Sequence, residues 1–462
     1  MTDPAAMSAE TLLAHYATGR LSPVEALQAV TERIARHNPR LNAFAVLNPG
    51  ALAAARDSAQ RWHAGRPLGA LDGVPCTVKD LVDLAGFPTR RGSRTTPPGP
   101  VADDAPMVAG LRAAGAVILG KTTTTEFGWK SPGDCPLHGI TRNPWNPAYT
   151  PGGSSAGAGA ASAACFGPLH VGTDAGGSIR IPAAWCGVVG LKPTFGRVPQ
   201  WPLGAFSGVA VAGPMTRTVR DAALMLSAIA RFDARDPFCL PDQARDWRDG
   251  IEQGVAGLRI AVLRRPGFDA PVDADGIAAV EHAAAILADA GAHIEEADPG
   301  LPDTGALFVQ LWSTALKLAV AGVAPDRRPL LDAGLLQVAE SAELSGLELM
   351  QAAAQQVQAA HAMARFHLRY DLVLCPVVPG PPPLADAPTV DPVGSLLQHW
   401  APWTFAFNLT RQPAISMPLG LAATGLPRSV QLAAAQHRDD LVLRAARVLE
   451  HAVPIPLAGT TG

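Results

Sequence analysis

Three runs in the chain, AVILGKT from Ala116, GLRIAVLRR from Gly257 and YDLVLCPVVPG from Tyr370, are apolar at consecutive rather than alternate positions. A strand with no polar face is buried on both sides, and a sheet built of such strands needs helices over each face. The neighbouring segments supply them. MVAGLRAAGAVILGKT reads as a helix, a turn at Gly115 and then a strand, and DGIAAVEHAAAILADAGAHIEEA as a helix followed by a strand. This alternation implies an α/β protein with a large, twisted, mostly mixed β-sheet covered by helices on both faces. No repeat or flexible linker divides the 462 residues, so a single domain over 1–462 is expected. Residues 1–65 read as helices. Their clearest signal is LSPVEALQAVTERIARHN, with Ser22 as N-cap, Pro23 at the first helical position and Glu25 two further on. The alanine-rich segment 306–366 is the candidate for an insertion or lid over the sheet, with plain peripheral packing as the alternative.

Composition narrows the function classes. A formal net charge of −3 gives no basic field for nucleic acid. The six cysteines, at 76, 135, 165, 186, 239 and 375, form no CxxC pair or metal framework, which implies reduced thiols and no metal. The start, MTDPAAMSAETLL, lacks the basic and apolar regions of a signal peptide. The longest apolar stretch, near LWSTALKLAVAGVA, reads as too short for a membrane span and carries Lys317. These features suggest a cytoplasmic protein, monomer or homodimer, without cofactor, nucleic-acid or membrane partner.

The richest glycine–serine stretch is TPGGSSAGAGAASAA, Thr150 to Ala164. It fits no phosphate loop. GAGAAS has Ser162 where a dinucleotide fingerprint needs its third glycine, and no lysine follows to make a Walker loop. Downstream, GTDAGGSIR from Gly172 to Arg180 places a serine after two glycines behind the strand-like LHVGT. Such an elbow exposes a hydroxyl and points several backbone N–H groups at one spot, which acyl transfer requires. Ser178 is then a candidate nucleophile, with the N–H groups of Ala175, Gly176, Gly177 and Ser178 as oxyanion donors. A serine needs a base. His138 and His170 are nearest in sequence and sit in no motif. Lysine serves when burial lowers its pKa, and Lys79, inside the apolar VPCTVKDLV, fits, with Lys121 and Lys192 as rivals.

GVPCTVKD, GKTTTTEFGW, GITRNPWNP, TPGGSSAGAGAASAA and GTDAGGSIRIPAAWCGVVGLKPTFGRV occur in this order. In these motifs the chain resembles the amidase signature family, most densely over Leu71–Gly196 within a signature core of 71–230. The resemblance resumes in FNLTRQPAISMPLG and LPRSVQLAAAQHRDDLVLRAARVLE. It implies the amidase-signature fold and a Ser–cisSer–Lys triad, with Ser178 as nucleophile, Ser154 as bridge behind a cis Gly153–Ser154 bond, and Lys79 as base. Ser155 then caps or supports, and Asp174 and Arg180 brace the elbow.

The reaction so implied is hydrolysis of a C–N bond in a small amide, ester or carbamate through an acyl-enzyme. Trp129, Cys135, Trp201, Phe206 and Trp403 are candidates for an aromatic-lined pocket suited to an aryl or hydrophobic substrate. Two alternatives stand beside it. One is the glutaminase subunit of a tRNA-dependent amidotransferase, disfavoured because Arg438 falls where that branch carries an acid. The other is a binding protein that kept the fold, against which the intact lysine and serines argue.

Overall fold

The computed structural model describes residues 3–241, 245–454 and 457–458. Among them, an eleven-stranded sheet gathers strands from nearly the whole chain. The order is Phe44–Leu47, Val117–Thr122, Pro75–Lys79, Leu169–Asp174, Val211–Thr216, Val189–Lys192, Ala414–Leu421, Pro427–Ala434, Leu372–Pro376, Arg259–Val262 and His293–Glu296. The sheet is mixed. Pro75–Lys79 runs parallel to both its neighbours, whereas Ala414–Leu421 and Pro427–Ala434 form an antiparallel hairpin.

The consecutive apolar residues of the strands feed different cores. In Leu372–Pro376, Leu372 and Leu374 enter one core with Val262, Ile415 and Leu432, while Val373 and Cys375 enter another with Trp403 and Phe407. The first core is closed by helices Val219–Ile229, Ala274–Asp289 and Asp439–Ala452. On the opposite face, Ala158 and Ala183, from helices Ala156–Ala163 and Arg180–Cys186, pack against Met215 of the sheet. The expected double cover is present.

Local signals act where they stand. Ser22 and Glu25 form a reciprocal capping box at the start of helix Pro23–Leu41, with Glu25 N–H donating to Ser22 Oγ at 3.2 Å. The first 65 residues are not all helical, however. Phe44–Leu47 is an edge strand antiparallel to Val117–Thr122. Four residues are too few to show a period, and the pairing partner lies far downstream.

Segment 306–366 contains most of helix Thr304–Ala321, then Ala333–Ser341 and Gly346–Phe366. By length and composition Thr304–Ala321 is sufficient to cross a membrane, contrary to the expectation from sequence. Its buried side, with Leu307, Phe308, Trp312 and Leu316, instead packs against Trp129, Trp185 and Trp400.

Helix Ala156–Ala163 is buried at every position and made only of Ala, Gly and Ser. Gly157 lies against the backbone of Ala43 and Thr123, where a Cβ would collide with main-chain atoms. Intrinsic helix propensity favours alanine over glycine by about 0.8–1.0 kcal/mol. Overpacking against backbone costs about 1–3 kcal/mol. Gly157→Ala is therefore expected to destabilise the protein, read as a lower urea midpoint; a raised midpoint would show that the helix has room to spare.

Candidate active site

Lys79 ends a strand whose five residues are all buried, and it has no exposed surface. Its Nζ lies 2.7 Å from Ser154 Oγ, 2.8 Å from Ser155 Oγ and 2.9 Å from Thr173 Oγ1. Burial pushes this amine well below the usual lysine range, opposed in part by the charge of Asp174. Among the described residues no carboxylate forms an ion pair with it. The rival lysines are placed differently. Lys121 pairs with Asp80 at 2.8 Å and donates to Thr89 Oγ1 at 2.8 Å. Lys192 donates to the Pro193 carbonyl at 3.0 Å, and burial lowers it to about 7. Neither touches the serines.

Proton accounting separates the two adjacent serines. Ser155 Oγ donates to the Thr173 carbonyl at 3.2 Å and accepts from Thr173 N–H at 3.3 Å. A hydroxyl has one proton, so Ser155 faces Lys79 as an acceptor. It occupies the N-cap position of helix Ala156–Ala163 but makes no capping bond with its side chain. Ser154 Oγ has only Lys79 as a hydrogen-bond partner among the described residues, which leaves its proton free to point at Nζ. The bond between Gly153 and Ser154 is cis.

Ser178 sits on the elbow between strand Leu169–Asp174 and helix Arg180–Cys186, and its carbonyl accepts Ser155 N–H at 3.2 Å. Its hydroxyl is half-buried and faces the cavity shared with Ser154 and Thr173. The N–H groups of Ala175, Gly176 and Ser178 are unpaired among the described residues. Gly177 is the exception to the expected set of four donors. Its N–H donates to Asp174 Oδ1 at 2.8 Å, because the carboxylate folds back under the turn. Gly177 has φ near +132°, and a Cβ there would meet Thr404 and Ile181.

The elbow is held from beneath. Asp174 and Arg180, both without exposed surface, pair at 3.0 Å. Asp174 also accepts Ile179 N–H at 3.1 Å and Asn408 Nδ2 at 2.9 Å. Arg180 and these donors hold its carboxyl far below the ordinary range against the desolvation that opposes them. Arg180 reaches on to Gln431 Oε1 at 2.6 Å, Asn408 Oδ1 at 2.6 Å and the Thr404 carbonyl at 2.8 Å. Thr404 Oγ1 donates to the Gly176 carbonyl at 2.6 Å. The C-terminal third thus fixes the loop that carries Ser178. Thr173, Thr404, Asn408 and Gln431 had no role assigned from sequence, because none stands in a local motif beside the residue it supports.

A cavity of about 770 Å³ opens above Ser154 and Ser178. Trp201 and Phe206 line it, together with Leu81, Met107, Phe127 and Leu318. Trp129 lies behind the elbow on a cavity of about 30 Å³, stacked on Trp312. Cys135 and Trp403 are not in the wall. Cys135 Sγ accepts His138 N–H at 3.3 Å, and Trp403 Nε1 donates to the Pro271 carbonyl at 2.8 Å, both in packed interior. Their side chains are core material, which corrects the expectation that they border the substrate. His170 bridges Thr77 and the Gly167 carbonyl, and burial lowers it to about 3. His138 lies 4.0 Å from Asp80, and neither histidine hydrogen-bonds to Ser178. Arg438 pairs with Asp440 on the surface, while buried Asp439 binds Thr194.

The family model for amidases matches residues 25–443, and the chain belongs to that family. It is 36% identical to an acylamidase of Rhodococcus erythropolis over 97% of this chain and 96% of that relative. It is also 36% identical to a 6-aminohexanoate-cyclic-dimer hydrolase of Paenarthrobacter ureafaciens, over 95% and 93%. The solved structure of a bacterial aryl acylamidase of the amidase signature family superposes with a TM-score of 0.87 at 28% identity, covering 97% of this chain and 96% of that one. The fold is the amidase-signature fold, and the protein is an amidohydrolase.

Removing one partner from a buried ion pair costs about 3–5 kcal/mol. Arg180→Met is expected to lose stability on this scale, read by urea denaturation. Arg438→Met, on a surface pair, is expected to shift the midpoint little. Equal shifts in the two variants would contradict the bracing role.

Proposed function

We propose that the protein hydrolyses small amides with an aryl or otherwise hydrophobic part, through an acyl-enzyme on Ser178. The observation that carries this is the buried Lys79 amine 2.7 Å from Ser154 Oγ, with Ser178 in the same cavity wall. As Ser178 Oγ attacks the amide carbonyl, its proton passes to Ser154 and that of Ser154 to neutral Lys79. The new C–O bond leaves an oxyanion facing the N–H groups of Ala175, Gly176 and Ser178, each contributing about 3 kcal/mol. When the C–N bond breaks, the proton returns through Ser154 to the departing amine. Water then repeats the sequence to release the acid and restore Ser178.

The apolar wall formed by Leu81, Met107, Phe127 and Trp201 supports a hydrophobic substrate, and the relatives named for acylamidase activity support an amide. Carbamates and esters present the same carbonyl and belong to the proposed range. The sole carboxylate in the described wall, Asp174, is held by Arg180 and Asn408. That leaves no free acid for the α-ammonium of glutamine, which favours an independent amidase over a glutaminase subunit. Helix Thr304–Ala321 contributes Leu318 and Ala319 to the wall, and we assign the 306–366 segment the part of a cap within a single domain.

A panel of anilides and aryl carbamates assayed with wild type and Ser178→Ala tests the proposal. Turnover in wild type and its loss in Ser178→Ala are expected, and equal rates would overturn it. General acid–base groups contribute roughly 10²–10⁴-fold, so Ser154→Ala is expected to lower kcat/KM on this scale and Ser155→Ala by less. A lysine acting as base must be deprotonated, so activity rises with pH. Because burial lowers Lys79, that rise is expected well below the ordinary lysine value of about 10.4. A rise only near that value would contradict the assignment of the base.

A further inference from the structure

We infer that the preferred substrates carry a carboxylate at the end remote from the scissile amide, bound by Arg91 and Arg327; this rests on the amidase reading above. Both arginines line the cavity otherwise walled mainly by apolar side chains. Arg91 has a left-handed backbone with φ of 52°, unusual for a residue with a long side chain. Both its backbone groups are pinned. Its N–H donates to the Asp80 carbonyl at 3.0 Å, and its carbonyl accepts Phe127 N–H at 2.9 Å. These two bonds fix the left-handed turn from which the Arg91 side chain lines the cavity.

The Arg91 guanidinium makes no ion pair and no side-chain hydrogen bond with any described residue. Asp80, whose carbonyl accepts the Arg91 N–H, has its carboxylate paired with Lys121 at 2.8 Å. In the same wall, Arg327 donates from Nη2 to the Arg94 carbonyl at 2.8 Å and likewise has no carboxylate partner among the described residues. This bond ties the turn after helix Thr304–Ala321 to the loop that follows Arg91. Two unneutralised guanidinium groups therefore border a cavity whose one described carboxylate, Asp174, is consumed by Arg180. Both arginines are half-buried, and guanidinium matches carboxylate in two-pronged geometry. The volume of about 770 Å³ accommodates an amide, an apolar spacer and a terminal carboxylate together.

Two matched pairs test this, one for each half of the amide. Adipic acid mono-anilide is compared with hexananilide, and para-acetamidophenylacetate with para-ethylacetanilide. Binding is measured by tryptophan fluorescence on Ser178→Ala, which removes turnover, and hydrolysis by release of the arylamine (aniline, 4-aminophenylacetate or 4-ethylaniline) from wild type. In at least one pair the anion is expected to bind about tenfold more tightly or better, as a charge-assisted contact predicts. In wild type the same preference is expected in KM rather than kcat. Adding Arg91→Gln or Arg327→Gln to Ser178→Ala is expected to bring the ratio toward one, with Arg91→Lys retaining part of it. Equal binding in both pairs, or a preference that survives both glutamine substitutions, overturns the inference. Failure of the amidase reading shows separately, as absence of arylamine release by wild type from all four compounds.

Discussion

The site depends on the solvation of one amine. Lys79 is carried to the end of a buried strand and placed among three hydroxyl groups, with no carboxylate in ion-pair contact among the described residues and only the charge of Asp174 opposing burial. A protonated ammonium there gives up water and receives only neutral acceptors, so burial favours the free base. The contrast within the molecule is direct. Lys121 and Lys130 are also buried, and each is paired with aspartate, at 2.8 Å and 2.7 Å. The fold pairs those lysines with acids and gives Lys79 no such partner among the described residues, so burial there favours the uncharged amine.

That choice sets demands on everything around it. The serine loop must hold two hydroxyls against the amine, and helix Ala156–Ala163 manages this with side chains small enough to lie against the Ala43–Thr123 backbone. The Ser178 elbow must keep three N–H groups unpaired in a half-buried turn, a state a mobile loop would relax. Asp174 and Arg180 prevent that, and they draw on Thr404, Asn408 and Gln431 from the far end of the chain. The sheet supplies the common frame, because strands from both halves lie side by side in it. Precision at the elbow is thus a product of long-range packing.

This division explains what the sequence revealed. Lys79, Ser154 and Ser178 stand in short motifs whose glycines and apolar flanks carry meaning locally. The capping box at Ser22 and Glu25 and the buried strand Leu372–Pro376 were legible for the same reason. Strands Val211–Thr216 and Ala414–Leu421 were not, since Pro214 and Pro418 interrupt the strand signal and only sheet neighbours stabilise them. Phe44–Leu47 was hidden among helices by its shortness. Trp403 and Cys135 illustrate the limit for side chains, because residue type does not tell a cavity wall from a packed interior. The diversion of Gly177 N–H to Asp174 was equally invisible, as it depends on which way one carboxylate turns.

The chain contains only five lysines, so the state of Lys79 is open to direct observation. Lysine labelled with ¹³C at Cε gives one resonance per residue, and Lys79→Met identifies the one in question. Following that resonance across pH in the folded enzyme reads the amine itself rather than a rate. A midpoint well below the ordinary lysine value of about 10.4 is expected. A midpoint at or above that value would mean that Lys79 stays charged among the serines, and the proposed base would have to be sought elsewhere.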